Sequence, residues 1–394
     1  MGKFPANLQH GRTDPVRTQT VQTVGKRFLN ENHNAGHERQ PNKGKDNNME
    51  TRKIPGTDLN LSVIAFGSYA SGKGWAPSER KSAIEAIRAS YQLGVTTFDT
   101  APIYGLGDTE AILGEALSCF PRDKVQILTK FGLRWLYVRG RPFRTVVSFD
   151  GKDVNIYRYA TRESVIEECE NSLRRLKTDY IDLYQLHWPD EATPFEETFE
   201  AVSRLVEQGK VRYVGVSNVT PEQMDEIGKI VPVVSLQMPY NMVERGIEKD
   251  VMKYCIDSNR AILAYRPLEA GLLTGKIRPD ATWPRNDSRN TNSYFTPDNI
   301  RRVNAFLEQL RPLASEKKAT LAQLALRWTA NRSGITSVLA GAVNSLEAVE
   351  NARAAEISLS RRDMDFINGT LLKLDTEMIN EALRKTRVRL AALS

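Results

Sequence analysis

Eight times between residues 61 and 355 a short β-prone run is followed by a segment with helical spacing, and this alternation restricts the fold more than any other property of the chain. The runs are LSVIAFGSY, TTFDTAPIYG, VQILTKFG, YIDLYQLHW, VRYVGVSN, VVSLQMPYN, AILAYRPL and ITSVLAGAVN. Strands that alternate with helices predict a parallel sheet covered by helices. The helical segments carry their own start and stop signals. Phe195, Phe199, Val202 and Val206 recur at helical spacing, and Gly209 suits the left-handed residue that ends a helix. Thr220, Pro221 and Gln223 predict an N-cap, a first-turn proline and a capping-box partner.

Two architectures accommodate such alternation, and eight units favour a closed (β/α)8 TIM barrel over an open doubly wound sheet. The open sheet normally places GxGxxG after its first strand; here GKGWAP and GLGDTE both lack the third glycine. The third strand and third helix are separated by a long insertion, residues 132–160. Its Asp150–Gly151 pair inside alternating residues predicts a hairpin over the face where the strands end.

In a barrel of this kind the loops after the strands build the functional face. Asp99 closes the second strand and Tyr104 follows on the loop; Lys130 closes the third and His187 the fourth. Ser217 and Asn218 end the fifth, Gln237 lies on the sixth, Tyr265 on the seventh, and the eighth runs into Gly341. Each alone has an ordinary structural reading, as a cap, a solvated terminus, a core aromatic or a loop hydrogen-bonder. Together they bring an acid, a base, a phenol and an imidazole to one rim. The other three histidines, His10, His33 and His37, fall in a polar leader, so His187 is the only one in the body of the chain.

Composition narrows the function classes. Hydrophobic residues at 40% and charged residues at 26% describe a soluble globular chain with ample core. No apolar stretch reaches the length of a membrane span and no signal-like apolar segment follows the N-terminus. Cys119, Cys169 and Cys255 are dispersed, which predicts a reducing, cytoplasmic setting and neither disulfides nor a thiolate metal site. One body histidine also speaks against a histidine metal site. The net charge of +7 is diffuse, with eight Lys/Arg and five Asp/Glu in residues 1–50, so no nucleic-acid or membrane footprint is expected. Residues 1–50 are expected to be a disordered polar leader, and residues 51–394 a single domain.

The segments FDTAPIYG, LTKFG, LHWPD, GVSN, AYRPLEAGLLTGK and GAVNSLEAVEN resemble, in order, the signature segments of the aldo-keto reductases, over about residues 51–360. In wording they are similar to the bacterial general-stress and inositol-utilisation members. The resemblance implies an NAD(P)H-dependent oxidoreductase with Asp99, Tyr104, Lys130 and His187 as catalytic tetrad. It also implies a nicotinamide lying flat on Tyr265, with its carboxamide held by Ser217, Asn218 and Gln237. The pyrophosphate would follow Arg266, Pro267, Leu268, Gly271, Leu272 and Lys276. The adenosine end would meet Gly341, Ala342, Val343, Asn344, Glu347, Glu350 and Asn351. Arg266 stands where a small residue is usual; it either adds a phosphate contact or points to solvent.

The chemistry can be stated from the residues themselves. A carbonyl accepts hydride only as its oxygen is protonated or polarised. Tyr104 can supply the proton, a nearby Lys130 ammonium would favour its phenolate, and Asp99 would hold the ammonium. His187 can orient the substrate oxygen, and the hydride must come from a cofactor. Val343 and Glu347 replace residues that in many relatives hold the 2′-phosphate of NADPH, which leans the expectation toward NADH. Tyr69, Trp75, Trp135 and Trp188 could wall a substrate pocket or pack structurally. The insertion's arginines read first as a solvated face and second as selectors of acidic or phosphorylated substrates. The competing function is a slow, cofactor-binding barrel that serves as a regulatory subunit, with the leader as docking arm.

Overall fold

A computed structural model describes residues 49–71, 80–136, 138–148, 151–284 and 287–374. The leader up to residue 48 and Trp75 lie outside the described residues. The chain opens with an antiparallel hairpin, β1 (Thr51–Lys53) and β2 (Asn60–Ser62). Next come β3 (Ile64–Gly67), β4 (Thr97–Asp99) and β5 (Gln126–Phe131), and the insertion forms β6 (Leu133–Arg134), β7 (Arg141–Val147) and β8 (Asp153–Arg158). The remaining strands are β9 (Ile181–Leu186), β10 (Val211–Ser217), β11 (Val233–Pro239), β12 (Ala261–Tyr265) and β13 (Ile335–Gly341). Strands β3, β4, β5, β9, β10, β11, β12 and β13 pair in parallel in that order, and β13 returns to β3 to close the barrel.

Helices α1 (Arg80–Gln92), α2 (Asp108–Leu117), α3 (Arg162–Leu176), α4 (Phe195–Glu207), α5 (Pro221–Gly228), α6 (Val251–Asp257), α7 (Pro297–Glu316), α8 (Leu321–Ala330) and α9 (Ser345–Ala352) fall within the segments expected from the sequence, to within a residue. The capping box at Thr220 and Gln223 forms, and Gly209 takes φ +71 just past α4. Another helix, α10 (Arg361–Leu371), was not anticipated, although Ser360 and Asp363 form a capping box at its start. It is held to α8 by Trp328 Nε1, which donates to Asn368 Oδ1 at 2.9 Å. Among the described residues, no helix is long and apolar enough to cross a membrane.

One predicted strand is two. Leu61 and Ser62 pair with β1, whereas Ile64–Gly67 enters the barrel. Val63 sits at the change of partner, its N–H donating to Glu50 O at 2.8 Å and its carbonyl accepting from Val338 N at 2.9 Å. The hairpin also shows why the body begins before residue 51: Met49 packs on the core, and Glu50 receives Arg52 and Arg327.

Period-two alternation decides what fills the barrel. Leu128, Leu183 and Leu263 point inward and pack with Ile54, Leu59 and Leu61 of the hairpin, which plugs the end where strands begin. Two residues further along the same inner rows stand Lys130, Gln185 and Tyr265. The inner surface therefore changes from apolar to polar within one step along each strand, at the end where the loops lie.

Candidate active site

Lys130 has no exposed surface, and an ammonium so placed needs a partner. Its Nζ donates to Asp99 Oδ1 at 2.7 Å and to the Thr100 carbonyl at 2.8 Å. Asp99 Oδ2 accepts from Gln237 Nε2 at 2.9 Å and from Gln185 Nε2 at 3.3 Å, and Gln237 Nε2 also reaches Gln185 Oε1 at 3.3 Å. Both amide side chains thus fix the carboxylate that fixes the lysine. Gln185 was missed from the sequence, where it reads as a polar interruption of a buried strand. Gly215 gives it room: a Cβ there would meet Ser235 Oγ at 2.5 Å and Gln185 Cγ at 3.0 Å.

Tyr104 stands over this pair on the loop after β4, in a turn where Gly105, Leu106 and Gly107 have φ of +58, +55 and +101. A Cβ on Gly107 would press on Arg175 Cδ at 3.1 Å, so this turn needs glycine for both conformation and space. Lys130 Nζ lies 5.1 Å from the centroid of the Tyr104 ring. Tyr69 and His187 meet that ring edge-on, with centroids 5.0 and 5.8 Å away. The phenol, ammonium, carboxylate and imidazole expected from three separate strand ends are brought together.

Electrostatics differ from the expectation in one respect. Burial, then the Asp99 carboxylate and Tyr69, hold the Tyr104 phenol well above its ordinary value of 10, and the Arg144 guanidinium only partly opposes them. The Lys130 ammonium donates to Asp99 and Thr100, and it does not offset these raising effects. Tyr104 is neutral near pH 7. Burial first, then the charges of Lys130 and Arg144, push His187 well below 6.5, so the imidazole is neutral near pH 7. Burial also lowers Lys130 from 10.5, with Asp99 opposing.

The neighbouring rim is a connected polar set. Asn218, at φ +59, donates from Nδ2 to His187 O and to Ser217 Oγ, each at 2.9 Å. Its Oδ1 accepts from Tyr265 OH at 2.9 Å, and Ser217 Oγ donates to Gln237 O at 2.9 Å. Gln237 Oε1 accepts no hydrogen bond among the described residues. An acceptor beside hydroxyls and amides matches the donors and acceptors of a carboxamide, so these residues fit a nicotinamide beside Tyr265.

On the loop after β12, Arg266 is partly buried and its Nη2 pairs with Glu269 Oε1 at 2.6 Å, so one edge of its guanidinium is committed to a carboxylate. Glu269 is buried and also receives Asn292 Nδ2 at 2.9 Å and Asn241 Nδ2 at 2.8 Å. Pro267 and Leu272 are buried, Leu268 and Gly271 partly so, and Lys276 is exposed.

At the far end of the rim, Gly341 is exposed, Ala342 buried, and Asn351 is turned to the strand end, donating to Gly341 O at 2.9 Å. Glu350 is partly buried, and its carbonyl accepts from Gln323. Asn344 caps α9 by accepting from Glu347 N at 2.9 Å, and Glu347 Oε2 accepts from Val343 N at 3.1 Å.

The insertion forms the expected hairpin, β7 on β8, with β6 beside it. Leu133 and Ile156 make a small core with Ala101, Ile103 and Trp188, against which Tyr104, Trp135 and Phe143 are partly buried. Trp188 is 7% exposed and meets the Phe143 ring at 5.3 Å.

At the root of this arm Glu168 accepts from Gly132 N at 3.0 Å, while its Oε2 is buried without a partner. Burial raises this carboxyl to about 8, more than Arg134 and the Gly132 N–H lower it. The folded state therefore holds a proton that the unfolded chain releases near 4.5. Stability from this group is full below 4.5 and is lost as pH rises toward 8, at about 1.4 kcal/mol per pH unit. Glu168→Gln mimics the neutral acid, so its melting temperature should exceed the wild type's at pH 8 and converge with it at pH 5. Parallel melting profiles from pH 5 to 8 would contradict the assignment.

Residues 63–371 match the model of the Aldo/keto reductase family. The chain is 38% identical over 297 residues to the aldo-keto reductase YhdN of Bacillus subtilis, covering 75% of this chain and 85% of that protein. It is 34% identical over 320 residues to an NADH-specific methylglyoxal reductase of Escherichia coli, covering 79% and 96%. A solved glycerol dehydrogenase from Gluconobacter oxydans superposes with a TM-score of 0.73 at 33% identity, covering 82% of this chain and 95% of that one.

Proposed function

The chain belongs to the aldo/keto reductase family of nicotinamide-dependent oxidoreductases, and from that premise we propose that it interconverts an aldehyde or ketone and its alcohol, with Tyr104 as proton donor and NADH as the preferred dinucleotide. The observation that carries this reading is a neutral phenol set between a neutral imidazole and a buried Lys130–Asp99 pair. A bound reduced nicotinamide supplies the hydride that no side chain can provide. Ser217, Asn218 and Gln237 orient its carboxamide beside Tyr265, while Lys276 and the backbone from Pro267 to Leu272 serve the phosphates.

His187, neutral, donates a hydrogen bond to the carbonyl oxygen and fixes its approach. As negative charge develops on that oxygen, the Tyr104 hydroxyl delivers its proton there. The phenolate left behind faces the Lys130 ammonium, which Asp99, Gln185 and Gln237 keep in place. Tyr69 and Trp135 border the approach, and the arm packed through Trp188 covers it. Consumption of NADH over a panel of aldehydes, ketones and sugars tests the reading. Dinucleotide binding without turnover of any of them would favour the regulatory-subunit alternative.

The dinucleotide preference rests on α9. Glu347 already places its carboxylate on the Val343 N–H, where a 2′-phosphate would otherwise be received, and Val343 offers no cation. A carboxylate about 4 Å from that phosphate opposes it by roughly 4 kcal/mol per pair of unit charges at an effective dielectric near 20. Val343→Arg with Glu347→Gln should move the NADPH/NADH ratio of kcat/KM by about one to two decades, at about 1.4 kcal/mol per decade. A wild-type preference of tenfold for NADPH would sink the proposal.

A further inference from the structure

Strand β7 carries a cation over the rim that the chemistry above leaves unused. Arg144 pairs across the hairpin with Ile156, and directly opposed residues of antiparallel strands point to the same face. Ile156 is fully buried against Ala101 and Ile103, on the loop that leads to Tyr104. Arg144 therefore leaves its strand toward that loop. Its Cζ lies 5.7 Å from the Phe143 ring, and Phe143 packs on Trp188, the residue after His187. Its charge acts on both Tyr104 and His187.

The other arginines on the strands of the arm are committed: Arg141 and Arg158 pair with Glu191, and Arg134 pairs with Glu167. Arg144 is exposed and makes no ion pair or side-chain hydrogen bond among the described residues. We propose that Arg144 is an anion anchor at the substrate mouth, and that the preferred substrates are aldehydes or ketones bearing a carboxylate or phosphate group. This rests on the carbonyl-reductase reading and names its substrate class. A guanidinium presents a planar fork of donors that matches either anion, and this one is near enough for its charge to act on both Tyr104 and His187. Arg144 is a specificity residue here and takes no part in proton or hydride transfer.

Matched aldehydes test the anchor in the full chain: 4-formylbenzoate against its methyl ester, and glyceraldehyde 3-phosphate against glyceraldehyde. The ester is the more electrophilic aldehyde, so a preference for the free acid cannot come from reactivity. Wild-type kcat/KM should favour the anionic member of at least one pair by about tenfold or more, and the preferred pair identifies the anion. Arg144→Gln should lose about tenfold on the anionic member, chiefly in KM, and stay within about twofold on the neutral one, the scale of one charge-assisted contact. Arg144→Lys should keep part of the preference, and added salt should shrink it. An unchanged ratio in Arg144→Gln, or an equal fall for both members, overturns the anchor while leaving carbonyl reduction standing. No turnover of any of these aldehydes overturns both.

Discussion

Tyr104→Phe should lower kcat for carbonyl reduction by about 10²- to 10⁴-fold, the contribution that a positioned general acid makes. The substitution removes one hydroxyl and little packing, because the ring keeps its edge-on contacts with Tyr69 and His187. Dinucleotide affinity, read from quenching of tryptophan fluorescence, should stay within about twofold of wild type, well under the 1.4 kcal/mol that a decade represents. That split matters, since a misfolded rim would lose both. Retention of more than about a tenth of the wild-type kcat would remove Tyr104 from the acid role. The neutrality of His187 adds a graded comparison. His187→Gln keeps a donor at that position and should cost less than the loss of the phenol.

The second large effect is expected at Asp99. Its carboxylate accepts from Lys130, Gln185 and Gln237, and it faces an ammonium with no access to water. Asp99→Leu leaves that ammonium buried without a counter-charge, a change that typically costs about 3–5 kcal/mol. The melting temperature should fall by on the order of 10 °C. Lys130, already lowered by burial and held up mainly by Asp99, should drop further. Residual activity should then increase toward lower pH, as the lysine regains its proton.

The double variant Asp99→Leu with Lys130→Met removes both charges, so it should recover most of the stability and none of the activity. A single Asp99→Leu protein with wild-type melting temperature and more than about a tenth of the activity would contradict this account, because acid catalysis is worth at least about 10²-fold.

The fold was legible in the sequence to the extent that local periodicity controls it. The eight barrel strands are largely buried runs, α3, α5, α7, α8 and α9 begin at side-chain caps, and each signal is contained within about a dozen residues. The split between β2 and β3 was not legible. LSVIAF is apolar but for Ser62 and gives no break, and only the hydrogen bonds of Val63 to Glu50 and Val338 show where one partner replaces another. At the site, residues at the very ends of strands could be read because barrel geometry assigns them a common face. Gln185 stands one step earlier, and its importance depends on Asp99, 86 positions before it, and Gln237, 52 positions after it. The ion pair of Arg266 was not legible for the same reason, since its partner Glu269 is held by Asn241 and Asn292 from other loops. Helix α10 has a local signal in the Ser360–Asp363 capping box but follows the last strand, so no strand–helix alternation marks it.

The arm formed by β6, β7 and β8 has a small apolar core of its own, joined to the barrel through Ala101, Ile103 and Trp188 and sharing no strand with it. Heritable change can therefore reach the two halves of the reaction separately. Substitutions along Arg141–Arg158 change the surface over the rim, while the buried polar lattice of Asp99, Lys130, Gln185 and Gln237 beneath Tyr104 stays as it is. A lineage built on this plan can diversify its diet of carbonyl compounds without reinventing its catalyst.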